Sequence, residues 1–326
     1  MTTNSSASSC TELVEVCGKV KMTTNKHNLH QTPTSLLIQF YNLSISIFII
    51  FNYSIIDNSF QLLIIHLFLS LFLLTISYVN NIKPNIISHP AFIFAPIILI
   101  EIFHYESGIF NLIIFPNYFD EFIKQFDIFI FGLLPNNMLS KLLPYNFIHQ
   151  LFHFFYFTFY IMLILPPIII YSQERKKTYE PNILNYKNLQ KYLFVLLFTM
   201  LSCFWIFIIF PVIGPTSQHK ILFPNNRGMI SVINFLFANG DLDGGAFPSS
   251  HVAGAFIATI FVFQYIKKLK IYFLIAFILL SISTVYCSFH YGVDVIGGFF
   301  AGIIFYLLGN YLFKKLYKLQ KTKSVI

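Results

Sequence analysis

Charged residues are scarce in this chain. Only 10% of its 326 residues are Asp, Glu, Lys or Arg, whereas a typical soluble domain has about 25%. Hydrophobic residues make up 56%, phenylalanine alone occurs 41 times, and the mean hydropathy is +0.69. This composition excludes an ordinary soluble globular domain and predicts a protein that crosses a membrane several times.

Cysteine is also rare, with four in the chain. Cys10 and Cys17 lie in a polar segment, whereas Cys203 and Cys287 lie in apolar segments, so no disulfide framework is expected. The net charge is +8. The polar segments nevertheless lack a basic stripe interleaved with aromatic residues, so we expect no nucleic-acid binding.

Eight apolar segments approach the length of about 20 residues that a membrane-spanning helix needs. The third contains Pro90 and Pro96 and ends at Glu101, but membrane helices tolerate prolines. We therefore predict an all-α fold, a polytopic membrane helical bundle with about eight transmembrane helices. The predicted spans are residues 36–56, 60–79, 86–105, 148–171, 189–211, 250–266, 270–288 and 292–313.

The basic residues are distributed unevenly between the two sides of such a bundle. One side receives 17 of the 21 Lys and Arg residues, and the other receives four, Lys124, Lys141, Lys220 and Arg227. Because cytoplasmic loops carry the excess of Lys and Arg, the first side is predicted to be cytoplasmic. Both termini then lie in the cytoplasm, and the opposite face is periplasmic, extracellular or lumenal.

The spans divide the chain into four predicted parts. Residues 1–35 are predicted to form a disordered cytoplasmic tail, and residues 36–85 two additional N-terminal transmembrane helices. Residues 86–313 form the main membrane domain, and residues 314–326 form a basic cytoplasmic tail. Within the main domain, residues 106–147 are too interrupted to span a bilayer, and they predict interfacial or re-entrant helices.

Two short stretches near the C-terminus place ionisable groups beside apolar spans, where such groups usually mark a functional site. Asp294 follows His290 by four residues, so both share one face of a helix. A carboxylate that binds one imidazole nitrogen makes the other a better nucleophile. Ser249 precedes His251 at a predicted helix start, where backbone N–H groups attract anions. This combination suits phosphoryl transfer through a phosphohistidine.

Other histidines occur singly in apolar segments. A single membrane histidine more often makes a structural polar contact than it performs catalysis, and we interpret four of them in this way. They are His66, His104, His149 and His153.

These motifs resemble the type 2 phosphatidic acid phosphatase superfamily, and more closely its inositol-phosphorylceramide-synthase-like branch. The family's second motif, Pro-Ser-Gly-His, corresponds to Pro248-Ser249-Ser250-His251. Its third motif is Ser-Arg, five residues, His, three residues and Asp, and it corresponds to Ser283-Thr284, His290 and Asp294. Residues 131–135 and 210–215 also resemble this branch.

The resemblance implies a six-helix phosphatase-like core and a metal-independent enzyme. It implies that His290 is the nucleophile, Asp294 its orienting partner and His251 the acid that protonates the leaving group. Ser249, Ser250 and the adjacent backbone would hold phosphate oxygens. No cofactor or metal is implied, and the expected partners are a membrane lipid phosphate or phospholipid and the bilayer itself.

The chain departs from the family pattern at two motifs. Thr284 stands where the third motif has Arg, which removes a bidentate phosphate ligand. Lys220 and Arg227 have the spacing of the first motif, Lys, six residues and Arg-Pro, although Gly228 replaces the proline. We interpret Lys220, Arg227 and Thr284 as candidate substrate-binding residues, with solvated loop charges as the alternative for the two cations. A different alignment places Thr216 where some relatives carry Arg.

The predicted function is therefore an integral membrane lipid phosphatase or phosphotransferase that acts through a phosphohistidine at the outer membrane face. Water as acceptor would give a phosphatase, and a lipid or polyol hydroxyl would give a transferase. The alternative is a catalytically inactive membrane carrier or scaffold that retains the fold, which the missing arginine favours.

Overall fold

The computed structural model describes residues 32–82, 88–177, 186–224, 227–240 and 242–323. These residues form twelve α-helices and one 3₁₀ turn, with no β-strand among them, so the all-α prediction is confirmed. The helices are α1 (Pro33–Phe51), α2 (Ser59–Ile82), α3 (Ser88–Ile114), α4 (Asp120–Phe131), α5 (Pro135–Leu142), α6 (Asn146–Arg175), α7 (Lys187–Ile209), α8 (Thr216–Leu222), α9 (Met229–Gly240), α10 (Ser250–Tyr265), α11 (Lys270–Tyr286) and α12 (Gly292–Lys323).

Each of the eight predicted spans coincides with a helix. Six of these helices are long and apolar enough to cross a membrane: α1, α3, α6, α7, α11 and α12. The apolar parts of α2 and α10 are shorter, and α10 has 16 residues. Because α10 packs against α6, α7, α11 and α12, its backbone is surrounded by protein rather than lipid. The chain is therefore a polytopic helical bundle, as predicted.

Helix α7 forms the centre of the bundle. It packs against α1, α3, α6, α10 and α12, and most of its side chains are buried. A helix that is apolar on all sides needs neighbours all round it, and the Leu and Phe side chains of α7 provide that surface. The helices that carry the two histidine motifs, α10 and α12, are packed directly on this core.

Two predicted boundaries are wrong because a charge ends an apolar run without ending a helix. The span predicted to end near residue 105 continues past Glu101 to Ile114 in α3. Likewise the predicted tail at residues 314–326 is largely a continuation of α12, which extends to Lys323. Lysine and glutamate both have high helix propensity, so the helix continues where the hydropathy falls.

The segment at residues 106–147 does contain two short helices after α3. Helix α4 has apolar residues on one side and ends at Gly132, which has a φ of 71°. Glycine adopts this left-handed conformation at no steric cost, which is why helices often end there. The predicted short helices are therefore present as α4 and α5.

The N-terminal pair of helices is attached to the bundle by both apolar and polar contacts. Helix α1 begins at Pro33, three residues before the predicted span begins at residue 36, and Thr32 Oγ1 accepts a hydrogen bond from Ser35 N at 3.2 Å. Helix α1 packs on α2 and α7. His66 on α2 lies 3.2 Å from Asn42 Oδ1 through Nδ1 and 3.5 Å from Glu106 Oε1 through Nε2. This histidine therefore makes the structural contacts that the sequence predicted.

Candidate active site

Ser249 is the N-cap of α10, as predicted. Its Oγ accepts a hydrogen bond from Val252 N at 3.4 Å, and its own backbone N–H donates to Asp294 O at 3.0 Å. The second bond joins the beginning of α10 to the first turn of α12. The two motifs that lie 40 residues apart in sequence therefore meet through backbone as well as through side chains.

His290 lies in the short connection between α11 and α12. The backbone N–H groups of Phe289 and His290 both donate to Thr284 O at 3.1 Å, and Ser288 has a φ of 57°. This turn brings the imidazole of His290 beside Ser249. His290 Nδ1 donates to Ala246 O at 2.9 Å, and His290 Nε2 lies 3.3 Å from Ser249 Oγ. The carbonyl therefore fixes the proton on Nδ1 and leaves the lone pair on Nε2.

Asp294, in the first turn of α12, contacts the imidazole of His290. One carboxylate oxygen, Oδ2, lies 3.5 Å from His290 Nδ1 and accepts a hydrogen bond from Tyr291 N at 2.8 Å. The sequence predicted that Asp294 orients His290, and the structure does bring the two together. It adds Ala246 O as a closer partner of the same nitrogen, which no side-chain pattern could indicate.

His251 lies in the first turn of α10, against aromatic side chains. Its Nε2 is 2.9 Å from the hydroxyl oxygen of Tyr156, and its ring centroid is 4.4 Å from that of Phe159. The rings of His251 and His290 have centroids 5.7 Å apart. The structure thus brings the two predicted histidines close together. It also places Tyr156 of α6 beside them, a residue that no sequence pattern distinguishes from the many other tyrosines of the chain.

A cavity of about 410 Å³ opens in front of the two histidines. Its polar lining comes from α8, α9 and the segment before α10 as well as from the histidine motifs. A volume of this size lies in the range of small-molecule pockets, about 300–1,000 Å³. The polar or ionisable residues that line it are His104, Tyr156, Thr216, His219, Lys220, Asn234, Asp243, His251 and His290.

The structure separates the two candidate cations. Lys220 lines the cavity, whereas Arg227 is exposed and contributes its backbone carbonyl to Gln150 Nε2 at 3.1 Å. Thr216, the alternative from the second alignment, also lines the cavity. The structure therefore places Lys220 and Thr216 at the wall of the cavity and leaves Arg227 outside it.

Thr284 does not reach the cavity. Its side chain is buried, and Oγ1 donates to Ser281 O at 2.8 Å within α11. Its carbonyl, described above, holds the turn that carries His290. We predicted that Thr284 contacts the substrate, but its buried side chain is not part of the cavity wall and does not support that prediction. Ser250 is also buried, and it lines a second cavity behind His251.

His219 on α8 connects the cavity wall to the turn before His290. Its Nδ1 donates to Cys287 O at 2.7 Å, and its Nε2 lies 2.9 Å from Asn234 Oδ1. Burial lowers the pKa of His219, and these two hydrogen bonds oppose the shift. Sequence analysis missed this residue, although it precedes Lys220 directly.

Two aspartates of α4 hold the backbone around the site. Asp127 is buried and accepts from Gly292 N at 3.0 Å and Val293 N at 2.7 Å, the first N–H groups of α12. Burial raises the pKa of Asp127, and the two N–H donors oppose that shift. Asp120 accepts from Ile213 N and Gly214 N, both at 2.9 Å. Their spacing of seven residues puts both on one helix face, but nothing in the sequence singled out either residue.

His104 has a second role beyond the structural contact that we predicted. Its ring packs against Phe204, with centroids 5.5 Å apart, and it also lines both cavities beside His251. His149 and His153 make structural contacts as predicted, since His149 Nδ1 lies 2.8 Å from Tyr286 Oη and His153 Nδ1 donates to His149 O at 2.6 Å.

The chain is thus a polytopic helical membrane protein in which two histidines line one polar cavity and an aspartate contacts one of them. A model of the PAP2 superfamily matches residues 131–308, more than half of the chain. The chain therefore belongs to the PAP2 superfamily, whose members are generally phosphatases that act on phosphorylated lipids. No curated protein and no solved structure matches it.

Proposed function

We propose that the protein is a lipid phosphatase or phosphotransferase in which His290 Nε2 attacks the phosphorus of a lipid phosphate. The observation that carries this proposal is the hydrogen bond from His290 Nδ1 to Ala246 O at 2.9 Å. It holds the imidazole in the tautomer whose Nε2 carries the lone pair, beside the Ser249 hydroxyl at 3.3 Å and the cavity. Asp294 Oδ2, 3.5 Å from the same Nδ1, stabilises the positive charge that develops on the ring during attack.

The reaction then proceeds in two halves. In the first, the bond from Nε2 to phosphorus forms, the bond from phosphorus to the lipid alcohol breaks, and His251 protonates the departing oxygen. In the second, an acceptor oxygen attacks phosphorus, its proton passes to His251, and the bond to Nε2 breaks. Tyr156, 2.9 Å from His251 Nε2, holds the imidazole of His251 in place during both proton transfers.

The phosphate must be stabilised without the arginine that the third motif usually provides. Lys220 supplies a positive charge at the cavity, and the Ser249 hydroxyl lies next to His290 Nε2. The beginning of α10 adds the positive end of a helix dipole. Several weaker phosphate ligands would thus take over the role of the single bidentate arginine.

The size and polarity of the cavity favour transfer of a phosphorylated headgroup over removal of phosphate alone. A cavity of about 410 Å³ has room for a polar group attached to phosphorus, and Asn234 and Asp243 line its outer part with hydrogen-bonding atoms. The cavity thus supports our proposal that the protein is more similar to the inositol-phosphorylceramide-synthase-like branch than to simple phosphatases. The reaction would occur at the membrane face opposite the basic side.

The test is turnover of defined phospholipids by the purified full-length protein in the presence of a metal chelator. We expect wild-type protein to release phosphate or to move a headgroup, and His290→Ala to lose at least about a thousandfold in rate, as for removal of other enzymatic nucleophiles. His66→Gln is the control, because it removes a buried imidazole that does not line the cavity.

A covalent intermediate provides the second measurement. His251→Ala protein, given a labelled phosphate ester whose leaving group needs no proton and quenched in alkaline detergent, should retain labelled phosphate on His290. A phosphohistidine is stable in base, and the variant loses the base that assists the second half. Equal turnover by wild-type and His290→Ala protein would contradict the assignment. Lipid binding without turnover by either protein would indicate the carrier that the missing arginine favours.

A further inference from the structure

His219 lies in the wall of the cavity that contains His251 and His290, and each of its ring nitrogens faces an oxygen acceptor. Nδ1 is 2.7 Å from Cys287 O, and Nε2 is 2.9 Å from Asn234 Oδ1. A neutral imidazole has one N–H group and one lone pair, so neither neutral tautomer can donate to both oxygens. A protonated imidazole has two N–H groups. The arrangement in the structure is therefore the one that a positively charged His219 requires.

Asn234 of α9 can also serve the neutral form of His219. A carboxamide has an acceptor oxygen on one side and an NH₂ group on the other. When the amide turns over, its Nδ2 donates to the lone pair on His219 Nε2, while Nδ1 continues to donate to Cys287 O. The pair thus has two arrangements, one for each charge of His219, and the imidazole keeps both hydrogen bonds in each.

The two arrangements present opposite groups to the cavity. Asn234 lines the cavity as well as contacting His219. With Oδ1 toward a protonated His219, the two N–H groups of Nδ2 lie on the side away from the imidazole, where they suit phosphate oxygens. With Nδ2 toward a neutral His219, Oδ1 takes that place and repels an anion. Protonation of His219 therefore changes this part of the wall from an acceptor into a donor.

The surroundings of His219 make its charge sensitive to an anion in the cavity. The residue is 4% exposed. Burial lowers its pKa, the hydrogen bonds to Cys287 O and Asn234 oppose that shift, and the charge of Lys220 lowers the pKa further. An anion beside Lys220 offsets this repulsion and so favours the protonated imidazole.

The other ionisable groups around His219 do not supply a counter-charge. His153 of α6 is the histidine beside it, with ring centroids 5.4 Å apart, and Cys287 contributes a buried thiol. Within the described part of the chain, no carboxylate forms an ion pair with His219. A bound anion is therefore the natural counter-charge of the protonated form. The further ionisable residues of the cavity wall are His104, Asp243, His251 and His290.

We propose that His219 and Asn234 form a proton-linked binding site for the substrate phosphate, an inference that rests on the proposed function. As the phosphate binds, Nε2 of His219 takes one proton from water. Asn234 then holds Oδ1 toward the imidazolium and its N–H groups toward the phosphate. His219 is a positioning residue, because it acts through Asn234 and through its charge beside Lys220. The proton returns to water when the phosphate leaves.

This coupling makes anion binding depend on pH. The proton and the anion strengthen each other's binding by the same factor. His219 is neutral in the empty site above its lowered pKa, and the anion raises that pKa in the occupied site. Between the two pKa values, binding takes up a proton, and the Kd of the anion rises by up to about tenfold for each unit of pH.

The experiment measures sulfate binding to full-length His290→Ala protein in detergent by isothermal titration calorimetry. Sulfate is tetrahedral and stays doubly negative over this range, and the variant removes both turnover and the imidazole of His290. We expect the Kd to rise about tenfold from about pH 6 to about pH 8. Buffers of different ionisation enthalpy should report proton uptake. His219→Gln in the same background should abolish this uptake and raise the Kd about tenfold at about pH 6.

Two further variants separate the proton link from a structural role. Asn234→Asp keeps an acceptor for His219 and stabilises the imidazolium, but its carboxylate has no N–H group to offer, so sulfate should bind more weakly and without proton uptake. His153→Gln is the matched control, since it removes the neighbouring imidazole, which does not line the cavity. Proton uptake there should equal that of the His290→Ala background.

A spectroscopic measurement covers the case in which His219→Gln does not fold. In ¹⁵N-histidine NMR of His290→Ala protein, sulfate should convert one neutral histidine to the doubly protonated form. Asn234→Asp should show that form without sulfate. Sulfate binding that changes no histidine would overturn the proposal, as would proton uptake that persists in folded His219→Gln protein or disappears in the His153→Gln control.

The outcomes also separate this inference from the proposed function, because sulfate binding requires no turnover. Proton-linked sulfate binding, together with wild-type protein that turns over no lipid phosphate, would refute only the proposed chemistry. Turnover by wild-type protein, together with sulfate binding that takes up no proton at His219, would refute only the proton-linked site.

Discussion

The proposed nucleophile, His290, is held mainly by main-chain oxygen atoms. Ala246 O accepts from His290 Nδ1, and Thr284 O accepts from the backbone N–H of His290 itself. The imidazole is therefore fixed both in tautomer and in position before a substrate arrives. Such preorganisation matters because a displacement of about 1 Å at a reacting atom can cost about a hundredfold in rate.

Lys220 is the residue on which we expect phosphate binding to depend most. Lys220→Ala should lower kcat/KM by about tenfold to a hundredfold, because a charged hydrogen-bond donor contributes about 1.5–3 kcal/mol. Arg227→Ala is the matched variant, since Arg227 has the same charge and lies shortly after α8 but outside the cavity. Steady-state kinetics on one lipid phosphate decide the question. Similar losses in both variants would show that overall loop charge, rather than a specific contact, attracts the substrate.

Asp127 is expected to act as a positioning residue. Its carboxylate holds Gly292 N and Val293 N, so Asp127→Asn keeps the shape but leaves one N–H without a carboxylate partner. We expect kcat to fall about tenfold with little change in KM, because the effect reaches the reaction through the start of α12 and through His290.

Glu121→Gln is the control for Asp127→Asn. It changes an acid to an amide on the same helix, but Glu121 is exposed and its ion pair with Lys124 at 3.5 Å contributes little. A rise in KM without loss of kcat in Asp127→Asn would contradict the positioning role and would point to a substrate contact.

At the level of single residues, the side chains of the candidate site could be predicted from the sequence, but most of the groups that hold them could not. His290, His251 and Asp294 could be found because their spacing forms a recognisable motif. Ala246 O and Thr284 O could not, since every residue has a carbonyl and only the folded backbone shows where it points. Asp120 and Asp127 required knowledge that α4 packs against α12, which no local pattern contains.

For the helices, the apolar runs of the sequence predicted where each helix lies, but charged residues did not predict where a helix ends. All eight predicted spans correspond to helices, because apolar runs of that length have few other stable forms in a bilayer. Helices α3 and α12 continue beyond Glu101 and the first lysines of the predicted tail. Hydropathy reports where the helix leaves the hydrocarbon, whereas capping and propensity decide where it ends.

Gly132, at the end of α4, and Gly214, just before α8, both have a positive φ. An added Cβ would meet a neighbouring atom only at Gly214, so the two positions separate backbone strain from a steric clash near the site. Gly132 has a φ of 71° and no heavy atom within 4 Å of an added Cβ. Gly214 has a φ of 84°, and an added Cβ would lie 2.5 Å from Phe289 O, next to His290. Alanine at either position incurs about 1–2 kcal/mol of backbone strain.

We therefore expect Gly132→Ala to lower the melting temperature with little effect on kcat, and Gly214→Ala to lower both. The additional loss in Gly214→Ala arises because Phe289 O must move and carries His290 with it. Thermal unfolding in detergent and kcat on one substrate are the two measurements. A normal kcat in folded Gly214→Ala protein would show that the turn before His290 tolerates displacement.

For the whole molecule, orientation in the membrane follows from charge. Residues 172–191, the turn at residues 267–270 and the end of α12 carry most of the basic residues, whereas Lys220 belongs to the face with the two histidines. The positive-inside rule therefore predicts that the catalytic cavity opens away from the cytoplasm. A substrate would then come from the outer or lumenal leaflet.

Cysteine labelling tests this orientation in cells whose plasma membrane contains the protein. In a background with Cys10→Ser and Cys17→Ser, the two remaining native cysteines are buried. Ser217→Cys on α8 and Lys268→Cys in the 3₁₀ turn then provide exposed thiols, one on each side of the bundle. An impermeant thiol reagent should label Ser217→Cys in intact cells and Lys268→Cys only after lysis. The reverse pattern would show that the cavity opens toward the cytoplasm, and the substrate would then come from the inner leaflet. The chemistry proposed for His290 and His251 would be unaffected, because it depends on the cavity and not on its orientation.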